Sequence, residues 1–166
     1  MVALLTRWLI FLHVLSALTF FLAHGTSTAM TFRVRRETDF ARIRTMLDLS
    51  DSTVEIMFLS FLGILLTGVT LVFFIHAWNT IWVWASILLM AFSFVWMVRM
   101  SEHSYKVLRK LVGLPYRLGS KEYPAEPPAS LEEVTALLKR INIRSLVLVG
   151  YIIPVIVLWL MIFKPF

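Results

Sequence analysis

The chain has 166 residues, of which 59% are hydrophobic and only 16% charged, with a mean hydropathy of +0.82. A soluble domain of this size cannot bury so much apolar surface, so the composition excludes an ordinary water-soluble globule and points to membrane. Cysteine is absent, which removes disulfides, thiolate catalysis, iron–sulfur clusters and cysteine-bound zinc.

The first charge-poor run is Trp8–Phe32. Arg7 before it is reminiscent of a signal peptide, but the run is too long for a typical signal core, so we read it as an anchor. A basic segment follows, "RVRRETDFARIRTMLDLSD". Thr38 can cap a helix there in which Phe40, Ile43 and Leu47 share a face. Such a helix either lies on the membrane surface or extends the first or second span inward. Ser52 with Glu55 reads as a capping box opening the second span. That span and the third, with cores at Ile56–Phe74 and Ile81–Val98, are separated by the short break "IHAWNT". In the second, "FLGILLTGVT" carries Gly63 and Thr67 with Ser60 and Gly68 nearby, small residues that admit a close neighbour from this chain or another. The stretch "GLPYRLGSKEYPAEPPAS" reads as an irregular linker or a lid. It ends at a second capping box, Ser130 with Glu133. From there Leu131, Val134, Leu138 and Ile141 repeat at helical spacing, predicting a helix that runs on into the fourth span, Ser145–Phe163, and bends at Pro154.

The expected fold is all-α: one transmembrane domain over 1–166, an integral membrane four-helix bundle with spans at about 8–32, 53–76, 79–100 and 143–163. Most of the Lys and Arg lie in or beside loops 33–52 and 101–142, with five from Arg33 to Arg44 and nine from Arg99 to Arg144. The link between the second and third spans has none, and each terminus has one. The positive-inside rule therefore places both basic loops in the cytoplasm and both termini outside, as a multi-pass protein of the cell (inner) membrane. Trp8, Trp78, Trp82, Trp84 and Trp159 fall toward the outer face as an aromatic belt, with Trp96 toward the inner one. Flanking apolar runs, the basic residues read as topology signals and contacts to anionic lipid; they lack the interleaved aromatics of a nucleic-acid surface.

Two histidines sit inside the first span. His13 and His24, eleven residues apart, share a face at two depths about 16 Å apart. His76 closes the second span at the outer side and His103 follows the third at the inner side, so the four divide into an outer pair, His13 with His76, and an inner pair, His24 with His103. Histidine is an axial ligand of haem iron, and such sites are built from side chains on facing helices of a bundle. Haem b is one reading, with His13 the favoured ligand. The other is that these imidazoles hydrogen-bond to hydroxyls, such as those of "GTSTAMT", or to backbone carbonyls. Met97, Met100 and His103 form a soft-ligand stripe that suits copper(I) and equally suits core filling. No span holds a buried Asp or Glu for a proton relay, and neither a phosphate-binding loop nor a catalytic triad is present, so the residues point away from an enzyme.

The early "LHVLSALTF", the basic "RVRRETD", "LTGV" in the second span and the closing "LWLMIFKPF" resemble the DUF2269 group of integral membrane proteins, relatives of the CopD-like and HemJ-like four-helix families. The resemblance covers most of the chain in layout and implies a fold without an activity. HemJ-like proteins hold haem b on a histidine early in the first helix, a place similar to that of His13. They oxidise protoporphyrinogen with an arginine late in the first helix and a lysine in the third. This chain has no arginine from Trp8 to Phe32 and no lysine from Ile81 to Val98, which speaks against that reaction. CopD-like relatives imply copper handling. Three functions follow as expectations: a small subunit of a larger redox or energy-transducing membrane complex, a haem b protein relaying electrons, and a metal-handling protein.

Overall fold

The computed structural model describes residues 2–165. Helix α1 spans Val2–Val34 and α2 Phe40–Phe74. A 3₁₀ turn at Ala77–Asn79 leads into α3, Ile81–Met100, which continues through a π-helical turn, Ser101–Tyr105, into α4, Lys106–Leu111. A two-stranded antiparallel hairpin follows, β1 Tyr116–Leu118 and β2 Lys121–Tyr123, with Tyr116 opposite Tyr123. Helix α5 is Leu131–Arg140; the last span comprises α6, Ile143–Val147, a π-helical turn at Leu148–Ile152, and α7, Ile153–Phe163. Four helical stretches are long and apolar enough to cross a membrane: Ala3–Val34, Phe40–Phe74, Ile81–Leu111 and Arg144–Phe163. Their outward faces are lined with large exposed apolar side chains such as Leu22, Leu66, Leu88 and Ile162, as contact with lipid requires.

Three expected boundaries move. Asp39, not Thr38, caps α2, its carboxylate accepting from Ala41 N at 2.8 Å. The helix then runs unbroken into the second span, because residues 40–62 contain neither glycine nor proline. Of the two alternatives for this segment, extension of the second span therefore holds. Ser52 opens nothing: it lies inside α2 and its hydroxyl donates to Leu49 O at 2.7 Å. Conversely, α5 does not run into the fourth span. Ile141 is extended, and the Asn142 side chain accepts from Arg144 N (2.9 Å) and Ser145 N, starting a new helix. The Ser130 cap is present, with its hydroxyl accepting from Glu133 N.

At the tryptophan end, Trp78 meets Phe73 edge-on and Trp84 at a tilt, and Lys164 lies over the Trp82 ring. At the opposite, basic end the ends of α1, α2 and α4 gather with α5 into a small cap. Val34, Ile43, Leu47, Leu108, Val112, Val134, Leu138 and Ile141 make its core. Arginines clamp the helix ends around it: Arg35 Nε donates to Leu138 O (3.0 Å) and Arg44 Nε to Val112 O (2.6 Å), carbonyls at the C-terminal ends of α5 and α4 that lack intrahelical donors. The basic loops thus help hold the cap together. The "GLPYRLGSKEYP" stretch folds as the hairpin, turning at Gly119 (φ +60°), so the expected linker carries regular structure.

Candidate functional site: a cleft between two helix pairs

The bundle consists of two antiparallel pairs. Helix α1 packs along the length of α2, and α3 packs on α7. In the first pair, a Cβ on Gly63 would stand 2.6 Å from Ser16 Oγ and 3.2 Å from its Cβ, so glycine here leaves room for the Ser16 side chain on α1. The small residues of the second span therefore serve α1 of this same chain. The pairs join each other mainly through α1 and the π turn of the last span, and through the stacked rings of Phe61 and Phe94, 4.9 Å apart.

Each membrane histidine lies at one of these seams. His13 Nδ1 is 2.9 Å from Thr67 Oγ1, and the Thr67 hydroxyl donates back to Gly63 O at 2.6 Å. With its hydrogen so used, the Thr67 oxygen accepts from His13 Nδ1–H, an assignment made from the network. The ring lies close to Gly68, where a Cβ would approach His13 Cε1 to 3.0 Å. His24 is buried, stacks on Phe20 at 5.6 Å, and donates Nε2–H to Gly150 O at 3.2 Å. The reason that carbonyl wants a donor is four residues further on. Pro154 has no N–H, so it cannot supply the i→i−4 bond to Gly150. The π turn at Leu148–Ile152 is the backbone's local adjustment. Glycine at 150 lets α1 approach, since a Cβ there would meet Thr28 at 3.3 Å and His24 Nε2 at 3.6 Å.

The four histidines do not gather. His13 contacts α2 at Thr67, nine residues and about 13 Å along that helix from His76, which is exposed in the left-handed conformation (φ 54°). His24 faces the fourth span, while His103 is exposed in the π turn after α3. Among the described residues, no group of three or more His, Asp or Glu side chains is arranged to hold a metal ion. Met97 and Met100 of the soft-ligand stripe turn inward and His103 does not.

Between the pairs, on the basic side of the Phe61–Phe94 stack, lies a half-open cleft of about 900 Å³. Its inner part is lined by Phe20, Phe58, Phe61, Phe94, Met57, Met97 and Trp96, with His24 and a strip of hydroxyls from Ser27, Thr28, Thr31 and Ser50 on the α1–α2 side. Ser27 and Ser50 hydrogen-bond each other at 2.7 Å across that seam. Toward the cap it meets Asp51, Tyr105, Lys106, Arg109, Tyr116, Arg117 and Glu122. Arg109 is fixed there: its Nε donates to Pro115 O at 2.9 Å, and its Nη1 lies 3.0 Å from Asp48 and 3.7 Å from Asp51. Tyr105 donates its hydroxyl to Leu47 O.

The hairpin walls the mouth. Tyr116 and Tyr123 stack at 5.2 Å, Arg117 pairs with Glu122, and Tyr116 donates its hydroxyl to Glu126 at 2.6 Å, where Lys110 also pairs at 3.4 Å. That Tyr116 hydrogen bond, with Lys110 behind it, holds the Glu126 carboxyl below its ordinary value. The same bond raises the Tyr116 phenol.

His24 is the one sequence-chosen histidine on the cleft. The aromatic layer and the Asp48–Arg109–Asp51 cluster are the parts that sequence reading missed. The i, i+3 spacing of Asp48 and Asp51 on one face of α2 was the available signal. In comparisons with family models, curated proteins and solved structures, nothing matches the chain.

Proposed function

We propose that the chain is a non-catalytic, four-span component of the cell (inner) membrane that holds a long apolar molecule in the cleft between its helix pairs, as a subunit of a larger redox or energy-transducing assembly. The observation that carries this reading is the cleft itself. At about 900 Å³, half-open and lined mainly by aromatic, thioether and aliphatic side chains, it has the size and chemistry of a site for an apolar molecule. Both termini outside and the basic cap in the cytoplasm is the orientation that the Lys/Arg distribution favours. The test is gentle extraction from native membrane followed by native mass spectrometry. The expected result is a retained non-protein mass together with stoichiometric partner chains. A ligand-free monomer that stays folded and alone would overturn the reading.

A second reading, haem b in the same cleft, is favoured by His24, Met57 and Met97 sharing its lining, since imidazole and thioether are both axial ligands. Ligation through Nε2 requires His24 to release Gly150 O. A reduced-minus-oxidised b-type band that His24→Ala abolishes supports it; colourless protein from haem-replete cells rejects it.

A further inference from the structure

Unpaired positive charge gathers at one corner of the molecule, where α1 ends against the junction of α5 and α6. The Arg35 bond to Leu138 O fixes the end of α1 beside the last turn of α5. Deeper along α1, the Phe32 and Tyr151 rings stack at 6.4 Å and tie it to the last span. Arg33 and Arg36 stand on one side of this seam, and Lys139, Arg140 and Arg144 on the other. All five are exposed, and none has an ion pair or a side-chain hydrogen bond among the described residues. Acids are absent from both segments: the chain has no Asp or Glu before Glu37 or after Glu133. Glu37 is already paired with Arg42, and Glu133 lies six residues, about 9 Å, back along α5 from Lys139. Elsewhere at the basic end the charges are matched, since Arg42, Arg109, Lys110 and Arg117 each have a carboxylate partner. Membrane topology is set by how many cations a loop carries and does not require them unpaired on one corner.

The corner also lies at the edge of the hydrocarbon. The first apolar span ends at Val34 and the last begins at Arg144. From Arg144 into the membrane, the last span exposes Leu148, Tyr151, Ile152 and Val155. A partner that fits both halves is anionic at one end and hydrocarbon at the other. An acidic protein surface would meet the cations alone. Because the cations stand on two elements with an aromatic seam between them, they suit two phosphates better than one. We propose that this corner binds an anionic phospholipid whose headgroup carries two phosphates, one at Arg33 and Arg36 and the other at Lys139, Arg140 and Arg144, with its acyl chains along the exposed face of the last span. None of these side chains lines the cleft, so the site stands whatever the cleft holds.

Native mass spectrometry of the full chain in detergent tests this with three added lipids: cardiolipin, phosphatidylglycerol and phosphatidylcholine. Cardiolipin has two phosphates, phosphatidylglycerol one, and phosphatidylcholine one that its own amine balances. Cardiolipin should bind on the order of a hundredfold more tightly than phosphatidylcholine, the scale that two or three interfacial Lys or Arg supply, with phosphatidylglycerol between them. The triple variant Arg36→Gln, Arg140→Gln and Arg144→Gln should bring the three lipids level. Arg42→Gln, Lys110→Gln and Arg117→Gln remove the same charge from cations that are already paired, and should leave the order unchanged. Equal loss in both triple variants means that net charge alone draws the lipid, and overturns the site. Equal binding of cardiolipin and phosphatidylglycerol overturns the second phosphate. Equal binding of all three by the native chain overturns the lipid, and loss of a co-extracted partner chain from the corner variant would then assign the corner to an acidic protein surface.

Discussion

The cap and the membrane section of this chain are held together by different forces. In the cap, Ile43, Val112 and Val134 are fully buried, and water drives them together. Among the spans that drive is absent, because lipid tails are as apolar as leucine. Helices associate there through close packing and a few polar contacts. The consequence is visible in the geometry. The cap leaves a space of only about 30 Å³ among its core side chains, whereas the spans meet tightly only along α1–α2 and α3–α7 and leave a cleft of about 900 Å³ between the pairs. The cap thus adds cohesion to a chain whose membrane half is divided by a cleft.

The largest expected effect tests that division. Leu138→Ala in the cap should destabilise by roughly 2–5 kcal/mol, whereas Leu88→Ala on the lipid-facing side of α3, with Leu88 68% exposed, should change little. Denaturant unfolding in micelles measures both. Equal losses would mean that the two regions are not held by different forces.

The second prediction concerns the polar contact that joins the helix pairs. His24→Ala leaves the Gly150 carbonyl without its donor and should cost about 1 kcal/mol, the scale of interhelical hydrogen bonds in bilayers. Pro154→Ala returns a backbone N–H to that carbonyl. In a double-mutant cycle the cost of His24→Ala should then shrink toward zero. An undiminished cost in the Pro154→Ala background would show that His24 acts through something other than Gly150. This contact also marks what the sequence could and could not disclose. The spans were legible because acidic and basic residues stop at their ends. The choice between imidazoles as hydrogen-bonding groups and as ligands was not, because uniform apolar periodicity leaves helix rotation unspecified. Yet "GYIIP" carried the clue, a glycine four residues before a proline and so an orphaned carbonyl with room beside it. The hairpin and the Asn142 break were hidden for another reason. Both arise from local side-chain competition in a polar segment, where hydrophobic spacing says little.

A comparable effect is expected within the first pair. Gly68→Ala puts a methyl against the His13 ring, and the loss should be about 1 kcal/mol, with a larger one for Gly63→Val against Ser16. Gly25→Ala, which meets nothing within 4 Å, is the control and should be neutral. Thermal aggregation in detergent ranks the three.

The smallest effect lies at the cleft mouth, where the two regions meet. Glu126 titrates below its ordinary value because Tyr116 donates to its ionised form. A carboxylate lowered in the folded state contributes stability that is present above its unfolded value, about 4.5, and is lost as pH falls through the folded one. Tyr116 is raised, so its share is present below about 10 and is lost as pH rises through its higher folded value. The hairpin should thus stay docked between those limits and loosen outside them, while the cap core does not respond. Hydrogen exchange of residues 116–123 at pH 6 and pH 3.5 measures the acid side. Faster intrinsic-rate-corrected exchange at pH 3.5 is expected in the native chain. Glu126→Gln should exchange fast at both pH values, since an amide accepts the Tyr116 hydrogen bond without the charge that Lys110 also pairs with. If the native hairpin is equally protected at both pH values, the Tyr116–Glu126–Lys110 contact is not what docks it, and the wall of the cleft is held by the Tyr116–Tyr123 stack and the turn at Gly119 alone.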